Sequence, residues 1–297
     1  MISSAEMDQT SGLECVLDAR CVLGEGPVWR DGALWFVDIK QNQVHRFDPA
    51  SGAHRTWTAP SAPGFLAPMA GDGLWIAGLK TGLHSFDSRA DAFDLLLEVE
   101  DPALGNRLND GSVDAKGRLW FGSMHDAETD LTGALYRFDR RGLQRMDDGY
   151  CITNGPMASP DGRTFYHTDT VARTIYAFDL AEDGALSGRR VFVRLEEGAG
   201  SPDGTAVDAE GCVWSALWGG WGVRRYSPAG ELLQTVRLPV SNVTKIAFGG
   251  PDLTSAYATS ALAGLSAEAL QAQPLAGGVF RFAVDVPGLA AGEVAEI

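Results

Sequence analysis

Apolar residues in this chain gather in short runs, each centred on an aromatic residue. The runs are Leu34-Trp35-Phe36-Val37, Leu74-Trp75-Ile76-Ala77, Leu119-Trp120-Phe121-Gly122, Thr164-Phe165-Tyr166-His167, Val213-Trp214-Ser215-Ala216 and Ala256-Tyr257-Ala258-Thr259. They recur at spacings of roughly 40 to 49 residues, the period of a four-stranded propeller blade. Most follow a turn such as Asp31-Gly32, Asp72-Gly73 or Asp161-Gly162-Arg163. Several are trailed by a second run of one type, as in Val44-His45-Arg46-Phe47-Asp48, Leu135-Tyr136-Arg137-Phe138-Asp139 and Ile175-Tyr176-Ala177-Phe178-Asp179. Apolar and polar positions alternate within these stretches, which is the strand period. The pattern predicts an all-β fold, a six-bladed β-propeller of four-stranded antiparallel blades around a central channel. Residues 14–22 read as a strand ahead of the first repeat. That strand should complete the sheet holding residues 279–284 and so close the ring, removing exposed edges. Residues 266–273 form the clearest helical stretch, a short helix in a loop of the last repeat.

Length alone would suggest about two domains, but blades bury their faces against neighbours and cannot be divided at will. The expectation is a flexible tail over residues 1–13 and a single propeller domain over 14–297. No stretch approaches the roughly 20 apolar residues of a membrane span, and residues 1–12 lack a basic-then-apolar leader pattern. A cytoplasmic monomer is expected. The formal net charge of −15 opposes binding to a nucleic-acid backbone, which needs clustered cations. Cys15, Cys21, Cys151 and Cys212 form no CxxC pair and read as free thiols.

A propeller turns equal phase in the repeat into proximity in space. About 10 or 11 positions before an aromatic centre lie Glu25, Asn109, Asn154 and Asp203, each at a glycine-bearing turn. For any one of them, ordinary turn chemistry is the better explanation, since Asn and Asp serve turns well. Four at one phase would place two carboxylates and two amides around one mouth of the channel, where buried polar groups need a partner. Hard oxygen donors of this kind suit Ca²⁺, Mg²⁺ or Mn²⁺ and can hold Zn²⁺ or Fe²⁺. So few protein ligands would leave positions for water or substrate, as catalytic sites do. There is no G-x-S-x-G elbow and no H-E-x-x-H pair. His45, His54 and His84 read as surface residues, and His125 as a positioning residue at the channel rim.

Several of these segments occur together in order from about residue 15 onward: Leu23-Gly24-Glu25-Gly26-Pro27-Val28-Trp29, Arg107-Leu108-Asn109-Asp110-Gly111, Gly122-Ser123-Met124, Thr153-Asn154-Gly155-Pro156 and Pro202-Asp203-Gly204. The chain thereby resembles the SMP-30/gluconolactonase/LRE (regucalcin-like) family. Phe36-Val37-Asp38-Ile39-Lys40, Val243-Thr244-Lys245 and Pro274-Leu275-Ala276-Gly277-Gly278 resemble most the bacterial sugar lactonases, such as xylonolactonase. The resemblance implies hydrolysis of a small-molecule sugar lactone with one divalent metal ion. Glu25, Asn154 and Asp203 would be the metal ligands, with Asp203 also the general base. Arg107 and Asn109 would contact the sugar, and Glu128, in His125-Asp126-Ala127-Glu128, is the candidate for a further acidic contact. Two other readings stand beside this one: a non-enzymatic Ca²⁺-binding or interaction propeller, and a hydrolase of other esters, phosphotriesters included. Fold alone does not separate them.

Overall fold

The structure, a computed structural model, describes residues 12–295, so most of the tail expected over 1–13 lies outside the described residues. The described strands form six sheets of four. All strand pairs within them are antiparallel, and five of the six sheets run in plain sequence order. The second strand of each blade is one of the aromatic-centred runs: Ala33–Asp38, Leu74–Leu79, Leu119–His125, Thr164–Asp169, Val213–Trp218 and Ser255–Ser260. The predicted short helix is Ala267–Ala272, capped by Ser266, whose hydroxyl accepts the Ala269 N–H at 3.2 Å.

The sixth sheet closes the ring. Its outer strand is Glu14–Leu17, paired with Val279–Ala283 through Cys15 opposite Phe280 and Leu17 opposite Val279. This strand is shorter than the expected 14–22. The chain turns at Arg20, which takes a left-handed backbone (φ 53°), and residues 21–23 leave the sheet to reach the first blade. Cys21 N–H donates to Gly277 O (2.9 Å). The buried carboxylate of Asp38 accepts the N–H groups of Val22 (2.7 Å) and Leu23 (3.2 Å).

The apolar core is a ring of six clusters, one for each interface between neighbouring blades. Trp35, Trp57 and Trp75 fill the first-to-second interface, with ring centroids 5.2 Å and 4.8 Å from Trp35. Trp120 meets Phe165 at 4.3 Å across the third-to-fourth. Burying a large aromatic ring contributes on the order of 2–3 kcal/mol, so the aromatic at the centre of each second strand is the residue that welds adjacent blades. Two of the tryptophans are also anchored by a buried carboxylate. Trp120 Nε1 donates to Asp114 (2.8 Å) and Trp214 Nε1 to Asp208 (2.9 Å).

Residues 287–295 lie across one end of the channel. Ala209 N–H donates to Pro287 O (2.9 Å), Val294 N–H to Pro68 O (2.8 Å) and Ala295 N–H to Gly117 O (3.0 Å). These partners sit in or beside the turns between first and second strands of the fifth, second and third blades, so the segment straps the face opposite the one where inner strands begin. Because closure of the ring depends on Glu14–Leu17, removing residues 1–18 is expected to lower Tm by several degrees or more in one cooperative transition, as read by scanning calorimetry. A two-step melt, or an unchanged Tm, would contradict closure by this strand.

Candidate active site

The inner strands of the six blades share one irregularity. Each has a single extra residue near its start: between Glu25 and Val28, Pro63 and Phe65, Leu108 and Gly111, Asn154 and Met157, Pro202 and Thr205, and Val243 and Lys245. The glycine turns read from the sequence are therefore bulges inside strands. A bulge breaks the two-residue alternation and re-aims side chains. Here the six bulges lie at the same end of the channel, so their side chains meet at its axis. Glycine is required where adjacent strands touch. Gly155 has φ 54°, and a Cβ there would fall 2.5 Å from Thr205 Oγ1 of the next blade.

A cavity of about 120 Å³ at this end is lined by Glu25, Arg107, Asn109, Glu128, Asn154 and Asp203. All six residues singled out from the sequence are thus brought together. A chain of hydrogen bonds links four of the cavity's side chains. Arg107 donates to Asn109 Oδ1 (2.5 Å), Asn109 Nδ2 to Asn154 Oδ1 (3.0 Å) and Asn154 Nδ2 to Thr170 Oγ1 (3.0 Å). Thr170 thereby fixes which end of the Asn154 amide faces Asn109. Arg107 is 2% exposed. Burial lowers its proton affinity, opposed by Asp126, Glu128 and Glu25. Glu128 stands at the rim of the cavity on a left-handed backbone (φ 59°). His125 does not line the cavity; its Nδ1 meets Thr129 Oγ1 at 3.0 Å.

Glu25 and Asp203 are buried carboxylates. Each accepts the N–H of the following glycine, and among the described residues neither bonds a side-chain donor. Burial, reinforced by Asp110, pushes the Glu25 carboxyl up to about 8. Burial, then Glu25 and Asp110, pushes Asp203 well above the usual carboxylate range. Two nearby cations are already committed: Lys245 Nζ binds Asp110 Oδ1 at 2.5 Å, and Arg107 serves Asn109 and Asp126. The site is short of positive charge at Glu25 and Asp203. With the Asn154 carbonyl beside them, these are donors of the hard-oxygen type that divalent cations take. The donor set fits a metal ion. Among the described residues no three His, Cys, Asp or Glu cluster as a metal site.

Asp110 and Lys245 were not singled out by the oxygen-donor search, yet they organise the floor of the site. They belong to the third and sixth blades, which face each other across the axis. Asp110 also accepts the N–H of Gly155 (2.8 Å), next to Asn154, while the Lys245 stem packs against Gly204, next to Asp203. Beyond the pair lies a second cavity, mostly apolar, walled by Val28, Leu66, Met157, Ile246 and the strap residue Leu289. Lys245 lies 12 positions before Tyr257, outside the phase of 10 or 11 shared by the oxygen donors, so that phase does not find it. The histidine expectation needs correcting at two positions. His45 is 3% exposed and stacks on Phe36, and His84 is 6% exposed. Both faces of their strands are covered, since the adjacent Val44 and Leu83 are fully buried as well.

A profile of the SMP-30/Gluconolactonase/LRE-like region matches residues 23–262. The chain is similar to 6-deoxy-6-sulfogluconolactonase of Pseudomonas putida, with 38% identity over 94% of this chain and 97% of the relative. It is similar to a pentonolactonase of Haloferax volcanii, with 38% identity over 83% of this chain and 84% of the relative. Among solved structures it is similar to regucalcin of Agrobacterium tumefaciens, described as a calcium-binding protein, at TM-score 0.91 and 29% identity over 95% and 97% of the two chains.

The electrostatics carry two expectations. Between the ordinary carboxylate value of 4.5 and about 8, the unfolded chain releases a proton that metal-free folded Glu25 retains. The corresponding stability is full below about 4.5 and is lost as pH rises through about 8. Calorimetry of EDTA-treated protein should show this as a decline in Tm from about pH 5 to 8 that flattens in Glu25→Gln; an equal decline in both proteins would refute it. Lys245→Met leaves Asp110 buried without its counter-ion and should cost about 3–5 kcal/mol of stability by chemical denaturation.

Proposed function

Because the chain belongs to the SMP-30/gluconolactonase/LRE-like family, we propose that it is a carboxylic-ester hydrolase that opens a sugar aldonolactone, a pentono- or hexonolactone, to the aldonic acid. The names of the two bacterial and archaeal relatives support this class of substrate. The observation that carries the reading is the meeting of two buried, cation-deficient carboxylates with Arg107, Asn109 and Asn154 in one cavity. A propeller used only as a binding surface has no need of such a centre.

In this reading Glu25, Asn154 and Asp203 hold one divalent ion, whose charge would polarise the lactone carbonyl and acidify water nearby. The ion's identity stays open among Ca²⁺, Zn²⁺, Mn²⁺, Mg²⁺ and Fe²⁺; the calcium-binding relative supports a divalent cation of some kind. Asp203 takes the proton of the attacking water. The charge of the ion beside it would keep the Asp203 carboxylate ionised and able to accept that proton. The water oxygen bonds the carbonyl carbon, the ring C–O bond breaks, and the departing ring oxygen receives a proton, so one water is added overall. Arg107 and Asn109 orient the sugar oxygens. Asn109 is itself held between Arg107 and the Thr153 carbonyl (2.6 Å), which limits its motion and favours attack geometry. Glu128 supplies an acceptor for a sugar hydroxyl at the rim. No side-chain nucleophile is required.

Acid release from D-xylono-, L-arabinono- and D-gluconolactone, followed by pH-stat, tests the reading. Asp203→Asn should lower kcat by about 100-fold or more while metal occupancy falls far less. Arg107→Ala should raise KM and lower kcat together. Equal rates for wild type, Asp203→Asn and EDTA-stripped protein would exclude hydrolysis at this site and leave the binding propeller.

A further inference from the structure

The chain has only four lysines, Lys40, Lys80, Lys116 and Lys245, among its 24 basic residues. Arginine makes most of its ion pairs, as in Arg55–Asp91, Arg190–Asp179 and Arg224–Glu196. Three of the four lysines nevertheless gather at one end of the channel. Lys245 is in the floor. Lys40 and Lys80 follow the second strands of the first and second blades, in the equivalent turns on the face where the inner strands begin. Only Lys116 lies at the opposite face, paired with Glu182 at 3.3 Å.

Lys40 and Lys80 converge on Asp126, which follows the second strand of the third blade. Asp126 meets Lys80 Nζ at 2.6 Å, Lys40 Nζ at 3.5 Å and Arg107 Nε at 3.3 Å. The cluster is continuous with the cavity, since Arg107 and Ile39, the neighbour of Lys40, both line it. Partial burial would raise the Asp126 carboxyl, but Lys80, Arg107 and Lys40 together hold it below its usual value, so it is ionised. Glu100, on the same face, accepts from the hydroxyls of Ser123 and Tyr136, and Asp130 meets His125 Nδ1 at 3.5 Å. Asp38 is enclosed by the backbone N–H groups of Val22, Leu23, Lys40 and Gln41. Glu128 is one further charge at the rim. Glu25 also faces Arg107 from within the cavity, where the divalent ion of the lactonase reading would meet its charge; at the rim Lys40, Lys80 and Arg107 then face Asp126 and Glu128, on a protein whose net charge is −15. The lysine side chains are 41% and 43% exposed, so each ammonium keeps N–H donors free. An ammonium is a compact point charge with rotatable donors, suited to a tetrahedral oxyanion approaching from solvent.

We propose that Lys40 and Lys80, with Arg107 beneath them, form a subsite for an anionic substituent on the substrate, so that the lactone is acidic and carries a sulfonate, phosphate or carboxylate remote from its ring ester. The proposal rests on the lactonase reading and specifies its substrate class. Asp126 keeps two mutually repelling ammonium groups together at the rim without using up their donors, and the substituent's oxygens take the donors that remain. The neutral part of the sugar then falls toward Asn109 and the Glu25–Asp203 carboxylates.

The test compares D-glucono-1,5-lactone with its 6-sulfo, 6-phospho and 6-carboxylate counterparts, using the metal-loaded wild type, Lys40→Met/Lys80→Met and Lys40→Arg/Lys80→Arg. Wild type should prefer at least one acidic lactone by about tenfold or more in kcat/KM, with the three arms identifying the oxyanion. The preference should shrink with added salt, collapse in the double methionine variant and persist in the double arginine variant. Hydrolysis of the neutral lactone with no preference for any acidic one, or a preference unaffected by the methionine variant, overturns the subsite and leaves the lactonase reading intact. Calorimetric titration with 6-phosphogluconate and gluconate separates the two ideas if no lactone is hydrolysed. Tighter binding of 6-phosphogluconate that is lost in the methionine variant supports the subsite alone, and equal affinities overturn it as well.

Discussion

A closed ring is the constraint from which the rest of this structure follows. The last sheet lacks a strand until Glu14–Leu17 pairs with Val279–Ala283, and only then does every blade have a neighbour on both sides. The six apolar clusters at the interfaces then form one continuous annulus. An open array would leave two blade faces and two strand edges in water, a hydrophobic and hydrogen-bonding cost at once. Closure also sets the function. Residues separated by 178 positions, such as Glu25 and Asp203, come together only because each lies at the axis of a ring.

At that axis the chain accepts an electrostatic cost. After burial itself, Asp110 raises the proton affinity of Glu25, and Glu25 and Asp110 raise that of Asp203; a single buried lysine answers Asp110 directly. Removing charged groups from water is expensive unless partners are supplied. The Lys245–Asp110 pair supplies one across the channel, using opposite blades, and it touches the backbone beside Asn154 and Asp203. The remaining deficit is left at Glu25 and Asp203, where a divalent cation would meet it. A core designed for stability alone would have no reason to hold such a deficit, and unpaired buried acids of this kind mark functional sites.

The bulges connect the two themes. A regular inner strand would alternate its side chains between the two faces of its blade, which are covered by neighbouring blades. One extra residue near the start of each inner strand breaks the alternation and frees a side chain to face the axis. All six blades carry the bulge, but they fill it differently: carboxylates in the first and fifth, an amide with the Asp110 carboxylate in the third, an amide in the fourth, a glycine in the second and Thr244 with Lys245 in the sixth. The common backbone device makes the scaffold, and the choice of residue at each bulge makes the chemistry.

Much of this was legible in the sequence because a propeller repeats. The aromatic period carried the number of blades and the identity of the second strands, and equal phase carried Glu25, Asn109, Asn154 and Asp203 to one mouth. Each of these depends on local pattern multiplied by symmetry, so no coordinates were needed. The single-residue bulges were not legible, since glycine and asparagine serve turns and bulges alike and only strand pairing distinguishes them. Residues 18–22 were read as strand, but their departure from the sheet depends on Asp38 and Gly277, remote partners that the local pattern does not contain. His45 and His84 are buried because both faces of their strands are covered, as the adjacent Val44 and Leu83 show, and the local pattern does not contain the neighbouring blades that cover them. The Lys245–Asp110 pair and the meeting of Lys40, Lys80 and Arg107 at Asp126 belong wholly to the tertiary structure. Charge partners 135 positions apart have no period or phase to reveal them, and only the closed ring decides which cation faces which carboxylate.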